Sequence, residues 1–286
     1  MTVYCLGSIN ADHVYTVPHL PVPGETLAAT DLSRGLGGKG ANQSVAAALG
    51  GARVVHIGAV GSDGAWTVDR LASFGVDTAH VMPSSHPTGH AIIHVASDGE
   101  NAIVIFPGAN VRQDPSTIKA ALSAAGPDDT LLIQNETSHQ ADAALLAATR
   151  GMRVVYSAAP FDLSALGAVL PHVSLLVVNA VEAAQMRAML SDIVGPEIIV
   201  TDGARGATWY FDGKRAIAPS FSVTPIDTTG AGDCFIGSLV AALDRGDDRE
   251  AALRYATAAA ALQVTRNGSA DAMPAREEVE ALLARL

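Results

Sequence analysis

Three short runs of small and polar residues carry the side chains from which phosphoryl or hydride chemistry is built. The first is Asp227-Thr228-Thr229-Gly230-Ala231-Gly232-Asp233, which precedes an apolar pattern at helical spacing, Phe235, Leu239 and Leu243. Small residues there let several backbone N–H groups converge where a helix begins, and such an end binds anions without any lysine. Asp233 then has two readings. It can serve the helix dipole as an N-terminal carboxylate, or it can accept a hydroxyl proton while the neighbouring amides hold a transferring phosphoryl group.

The second run, Gly35-Leu36-Gly37-Gly38-Lys39-Gly40-Ala41-Asn42, has the letters of a dinucleotide fingerprint. That motif requires a hydrophobic strand immediately before it, and Ala29-Thr30-Asp31-Leu32-Ser33-Arg34 is not one. A Walker lysine is excluded too, because Lys39 is followed by Gly40 rather than Ser or Thr. What remains is a tight glycine turn with Lys39 and Asn42 directed at a ligand and a helix from Gln43 to Leu49, or simply a helix-entry loop. In the third run, Gly7-Ser8-Ile9-Asn10-Ala11-Asp12, an amide and a carboxylate lie two residues apart on one side of an extended chain. That pair suits the vicinal hydroxyls of a sugar; a turn cap is the plainer alternative.

These residues need a frame that brings distant segments together. Short β-branched runs alternate with alanine-rich stretches, the rhythm of an α/β fold with a largely parallel sheet. Strands are expected at Val3–Ile9, Val54–Val60, Thr130–Gln134, Arg153–Ser157, Leu175–Asn179 and Ile198–Thr201. Helices are expected at Trp66–Phe74, Ser116–Ala125, Gln140–Thr149, Ala251–Val264 and Glu277–Leu286. Two stretches break the rhythm with alternating patterns, residues 12–36 and 88–107; they read as strands of a small second sheet, with Asp98-Gly99 as a hairpin turn. The main domain would then comprise residues 1–11, 37–87 and 108–286.

Composition sets limits. The 286 residues are 49% hydrophobic and 16% charged, which excludes disorder. A net charge of −11 argues against nucleic acid or an anionic membrane as the main partner. Two cysteines make no disulfide framework and no zinc site of their own. No basic leader and no apolar run of the roughly 20 residues needed for a membrane span is visible, so a cytoplasmic chain is expected.

The ordered set Gly7-Ser8-Ile9-Asn10-Ala11-Asp12-His13, Pro23-Gly24-Glu25-Thr26, Gly37-Gly38-Lys39-Gly40-Ala41-Asn42-Gln43 and Asp227–Asp233 resembles the ribokinase (PfkB) family of carbohydrate kinases. The resemblance runs from Val3 to Pro274. It implies a doubly wound, mostly parallel α/β domain with helices on both sides, a small β-sheet lid, and ATP-dependent phosphorylation of a primary hydroxyl on ribose or a similar sugar. A ketohexose or nucleoside is the alternative substrate, and a non-catalytic sugar- or nucleotide-binding protein the alternative class.

The resemblance also distributes roles. Asp233 corresponds to the base, and Gly230, Ala231 and Gly232 to the anion hole. Asn10, Asp12, Gly38, Lys39, Asn42 and Glu136 correspond to sugar-binding positions. Asn179, Thr201, Gly203, Gly206, Gly232 and Thr257 fall on the nucleotide side, with Glu182 in a magnesium and phosphate network. A monovalent cation, usually potassium, is implied at Asp227, Thr229, Gln263, Arg266, Gly268 and Ala272, although Ala272 lacks the hydroxyl of the expected serine. Ser157-Ala158-Ala159-Pro160 departs from the family's usual run, the segment Glu182–Ile198 is short, and His90, His94 and Phe106 fall on the lid, where substrate range is set. A homodimer joined through the lids is the implied assembly.

Overall fold

A computed structural model describes residues 1–189 and 195–285. The chain opens with β1 (Thr2–Leu6), crosses into β2 (Asn10–Val17) and β3 (Asp31–Gly37), and enters α1 (Lys39–Leu49). Then follow β4 (Arg53–Val60), α2 (Ala65–Ser73), β5 (Asp77–Pro83), β6 (Gly89–Ala96), β7 (Asn101–Phe106) and α3 (Pro115–Ala121). The middle alternates β8 (Thr130–Gln134), α4 (Gln140–Thr149), β9 (Arg153–Ser157), α5 (Leu163–Val169), β10 (Leu175–Asn179), α6 (Ala180–Met189) and β11 (Glu197–Thr201). A hairpin, β12 (Ala207–Phe211) and β13 (Lys214–Ala218), precedes α7 (Ala231–Arg245), α8 (Arg249–Gln263) and α9 (Arg276–Leu283).

Among the described residues, nine strands form one sheet in the order β13-β12-β11-β10-β9-β8-β1-β4-β5. All neighbours are parallel except the β11–β12 and β12–β13 pairs. Successive side chains of β1 show why the sheet is covered twice. Val3 and Cys5 enter a core with α1, α7 and α8, whereas Tyr4 and Leu6 enter a second core with α3, α4 and α5. The order reverses at β1, between β8 and β4, and in open α/β sheets ligands collect beyond the strand ends at such a point. Side-chain caps fix several helix starts: Asp114, Asp162 and Asp248 accept from Ser116, Ala165 and Ala251 N–H at 2.8, 2.7 and 2.9 Å.

A separate four-stranded sheet has the order β3-β2-β6-β7. The Asp98-Gly99 turn joins β6 to β7, with Gly99 at φ +88°.

Several elements differ from the sequence expectation. α1 begins at Lys39, so Asn42 lies inside its first turn rather than before it. β5 is an edge strand, without a fully buried residue, whose mixed pattern carries little periodic signal. The β12–β13 hairpin turns on Asp212-Gly213, both at positive φ, a turn signal that identifies the hairpin in retrospect. α5 was not expected, and neither was α6, which starts at the residue after β10 with no loop between them. The short stretch expected between Glu182 and Ile198 includes residues 190–194, outside the described residues.

Candidate active site

The exit of β1 and the start of α1 are pressed together. A Cβ on Gly40 would fall 2.3 Å from Gly7 Cα, so only glycine at both positions allows this approach. Every N–H of the first turn of α1 then finds a protein acceptor. Lys39 N–H donates to Glu136 Oε2 at 3.1 Å, Gly40 N–H to Ser8 Oγ at 3.2 Å, Ala41 N–H to Ser8 O at 2.9 Å and Asn42 N–H to Gly38 O at 2.9 Å. Ser8 Oγ in turn donates to Glu136 Oε2 at 2.5 Å. The glycine run therefore serves packing and capping. The amides of residues 39–42 are thereby spent on protein acceptors.

The start of α7 is built the opposite way. Gly230 caps the helix at φ +80°, a conformation glycine adopts without strain. Ala231 N–H reaches Thr228 O at 3.2 Å, and Cys234 N–H closes the first helical bond to Gly230 O at 2.8 Å. Among the described residues, the N–H groups of Gly230, Gly232 and Asp233 have no backbone partner. Three free amides at the positive end of a 15-residue helix make an anion seat.

Asp233 stands in this turn, only 8% exposed. Its Oδ2 accepts from Asn42 Nδ2 at 3.0 Å and its Oδ1 from Gln43 Nε2 at 2.9 Å. Burial pushes its carboxyl above the usual range, against the lowering effects of the Lys39 ammonium and the two amides. Gln43 is held by Gln134 Nε2 at 2.8 Å. Lys39 is itself raised: burial works against its charge, but the carboxylates of Asp233, Glu136 and Glu182 outweigh that. Such a carboxylate, kept more basic than normal beside a lysine and an anion seat, can take a proton from an alcohol.

On the other side of Glu136, a cavity of about 300 Å³ is lined by Asn10, Asn110, Asn135, Glu136, Ile105 and Pro160, among others. Asn110 secures the turn into β2: its Oδ1 accepts from Ile9 N–H at 2.9 Å, and its Nδ2 donates to Asn10 Oδ1 at 2.8 Å. Asp12 lies over Gly37, and burial, with Glu136 adding to it, pushes its carboxyl up to about 7. Strand register places His90, His94 and Phe106 on the face of the small sheet opposite Asn10 and Asp12. Ile105, not Phe106, lines the cavity, which therefore gains no aromatic face from Phe106.

Beyond the anion seat lie two further cavities that share Thr201, Thr228, Ala231 and Gly232. One, of about 190 Å³, brings Lys39, Asn179 and Glu182 together with Gly230 and Asp233. Asn179 and Glu182 cap each other, each backbone N–H donating to the other's side chain at 2.8 and 2.9 Å. Burial raises the Glu182 carboxyl. The other, about 290 Å³ and largely apolar, is lined by Gly203, Gly206, Phe221, Phe235, Thr257 and Val264, among others. Its largely apolar lining suits a heteroaromatic ring. Thr257 is buried there with its hydroxyl spent on Leu253 O at 2.8 Å.

Behind the anion seat, Asp227 accepts from Thr229 N–H at 2.9 Å and from Gly268 N–H at 3.0 Å. Gln263 Nε2 donates to Thr229 O at 2.7 Å and to Gly268 O at 3.1 Å. Arg266 directs its guanidinium to Glu278 at 2.5 Å.

The pfkB family carbohydrate kinase pattern matches residues 2–276. The chain belongs to that family. A ribokinase of Haemophilus influenzae is 37% identical over 97% of this carbohydrate kinase and 96% of its own length. A ribokinase of Bacillus subtilis is 34% identical, with 97% and 98% covered. Among solved structures, Arabidopsis thaliana ribokinase complexed with ribose and ATP matches at a TM-score of 0.88 and 28% identity, over 99% of this chain and 97% of that one.

The residues expected to hold a monovalent cation lie behind the anion seat of this kinase. Asp227, Thr229, Gln263 and Gly268 do meet, but an amide nitrogen stands against two of the oxygens meant for the ion. Arg266 is tied to Glu278, and Ala272 offers no side-chain oxygen. Sequence reasoning also passed over Ser8, Gln43, Asn110 and Gln134, which set Glu136, Asp233 and Asn10 in place. It missed His56 as well, whose ring bridges Ser44 Oγ at 2.8 Å and Gly7 O at 3.2 Å. Ser8 and Gln43 fall inside the quoted motifs and were open to view. The others lie outside those motifs, and their only signal is that a buried amide or imidazole needs a partner.

Proposed function

We propose that this carbohydrate kinase transfers the γ-phosphoryl group of ATP to the primary hydroxyl of ribose. The observation that carries the reading is a raised, buried carboxyl on Asp233 beside three unpartnered amides of α7. The adenine fits the largely apolar cavity of Gly203, Gly206 and Thr257, with Thr201 at the passage toward the phosphates. The triphosphate then runs to the amides of Gly230, Gly232 and Asp233. Asn10, Asp12 and Glu136 supply hydroxyl acceptors and donors on the sugar side. The primary hydroxyl gives its proton to Asp233 while its oxygen bonds to the γ-phosphorus. The bond from that phosphorus to the bridging oxygen breaks, and ADP leaves with the electron pair.

Lys39 and the free amides offset the charge on the transferring group, and Asn42 and Gln43 keep both oxygens of Asp233 aimed. The small sheet, acting as a lid, excludes the water that would otherwise compete for ATP. Magnesium neutralises phosphate charge when bound with the nucleotide. The hard oxygens of Glu182 and Asn179, in the same cavity as the anion seat, fit the one or two protein ligands such an ion takes.

The assembly we propose is a homodimer through the small sheets. β7 is an edge strand with four exposed large apolar residues, Ile103, Val104, Ile105 and Phe106, a surface that an isolated subunit leaves unprotected. Both cysteines are buried and unpaired, and no described helix is long and apolar enough to cross a membrane, which supports a cytoplasmic setting. Mass spectrometry of a reaction with ATP and ribose tests the reading: formation of ribose 5-phosphate is expected, and no phosphorylated sugar would remove it.

A further inference from the structure

Gln263 is wholly buried at the end of α8, and its side chain reaches the ring of backbone oxygens behind the anion seat. The two carbonyls it touches, Thr229 O at 2.7 Å and Gly268 O at 3.1 Å, can only accept hydrogen bonds. The carboxamide therefore presents its NH2 to them, one hydrogen to each. Turned over, it would set an amide oxygen against Thr229 O with no proton between. The orientation shown leaves Gln263 Oε1 without a partner among the described residues, which costs less than three oxygens in mutual contact.

The rest of the ring is similarly committed. Asp227 Oδ1 and Oδ2 hold Thr229 N–H and Gly268 N–H. The backbone oxygen of Gln263 accepts from Arg266 N–H at 3.0 Å. Position 272 is alanine, with no oxygen in its side chain. An amide nitrogen thus stands where the family resemblance calls for a monovalent ion, within hydrogen-bonding distance of oxygens that would face that ion.

We propose that the Gln263 carboxamide replaces the monovalent cation, so that this kinase is independent of potassium. The site it serves is the anion seat. Thr229 O belongs to the same peptide group as Gly230 N–H, one of the three free amides. A hydrogen bond into that carbonyl polarises the peptide and fixes its tilt, so Gly230 N–H points at the phosphates as a better donor. Gln263 is a positioning residue in this arrangement. It supplies geometry and polarisation where an ion would supply charge. The inference rests on the phosphotransfer reading for its rate arm, but not for its binding arm.

The test begins with the unaltered enzyme. MgATP is supplied as a tetramethylammonium salt, and KCl is titrated against choline chloride at constant ionic strength. The rate with ribose is expected to stay within about twofold, and the Tm with bound ADP to show no potassium-specific rise, since an ion that bound the folded state would raise it. A rate increase of about tenfold with KCl, or a Tm rise of several degrees that choline does not reproduce, would overturn the proposal. The second arm uses Gln263→Ala, which frees both carbonyls. Its rate in choline is expected to fall about tenfold, as for loss of buried hydrogen bonds, and to recover in KCl, with a Tm that now responds to potassium. A merely structural glutamine would leave a less stable protein with no response to the ion, and that outcome contradicts the assignment. If ribose is not phosphorylated, the function proposed above fails, while the Tm arm still decides whether potassium binds. If Gln263→Ala does not fold, the unaltered enzyme decides alone.

Discussion

Gln43 on α1 and Asp233 on α7 are 190 positions apart in the chain and joined by a 2.9 Å hydrogen bond, Gln43 Nε2 donating to Asp233 Oδ1. Gln134 at the end of β8 holds Gln43 from behind at 2.8 Å, so the sheet itself orients the carboxylate. Gln43→Leu removes the donor and leaves Asp233 with Asn42 alone. Because the hydrogen bond lowers the Asp233 pKa, its loss raises that pKa further, and the acid limb of the pH–rate profile is expected to move upward. The rate at neutral pH should fall about tenfold. An unchanged profile would show that Gln43 is only packing.

Asp233→Asn keeps the shape of the turn and removes the base. ATP affinity should stay near that of the unaltered enzyme, because the seat is made of backbone amides. Turnover should fall by roughly 10² to 10⁴, the usual contribution of a positioned base. Calorimetric titration of the nucleotide together with steady-state turnover separates the two effects. Near-normal turnover would show that another group takes the proton.

Asp12 carries a prediction about pH. Its pKa is raised from 3.8 to about 7 in the folded chain, chiefly by burial. Between those values the folded state keeps a proton that the unfolded state has lost, so this group's effect on stability declines as pH rises across that window. Asp12→Asn removes the loss. Its Tm at pH 8 should exceed that of the unaltered chain by about 2–4 °C, with the difference vanishing below the unfolded pKa. The same change should raise KM for the sugar about tenfold, because a hydroxyl loses its carboxylate. His56 acts in the opposite sense: burial holds its pKa down at about 4 against 6.5 unfolded, so its contribution is lost as pH falls through that interval. Thermal scans of both proteins between pH 4 and 8 keep the two effects apart.

Val104 lies 65% exposed on edge strand β7, next to Ile103 and Ile105. Val104→Asp places a charge in the middle of that surface and should convert a dimer to a monomer without unfolding the main domain. Sedimentation velocity reads the outcome. A monomeric unaltered protein would contradict the assembly proposed for the small sheets.

What could be read in the sequence divides along physical lines. Asp233, the Gly230–Gly232 turn, Asn10 and Asp12 sit in contiguous runs whose residue types already state a chemistry, and the buried parallel strands announce themselves as apolar blocks. Gln134, Asn110 and His56 carry no such signal, because each acts through one long-range hydrogen bond that exists only after the sheet is assembled. The glycines around Lys39 were legible as a tight approach, but not as an approach of helix to strand. Only the fate of each backbone N–H distinguishes a capped helix start at α1 from an open one at α7. For the cation residues too the spacing is silent: Asp227, Thr229 and Gly268 stand at the same intervals whether an ion or the amide of Gln263 lies among them.

The most direct test of the account is kcat/KM with ATP for ribose, 2-deoxyribose, fructose and adenosine, measured by ADP release with the phosphorylated product identified. Ribose should have the highest value, with its 5-phosphate as product, and adenosine should react little because no aromatic side chain among the described residues lines the sugar cavity. A preference for adenosine or fructose over ribose, or ADP release with no phosphorylated sugar, would contradict it.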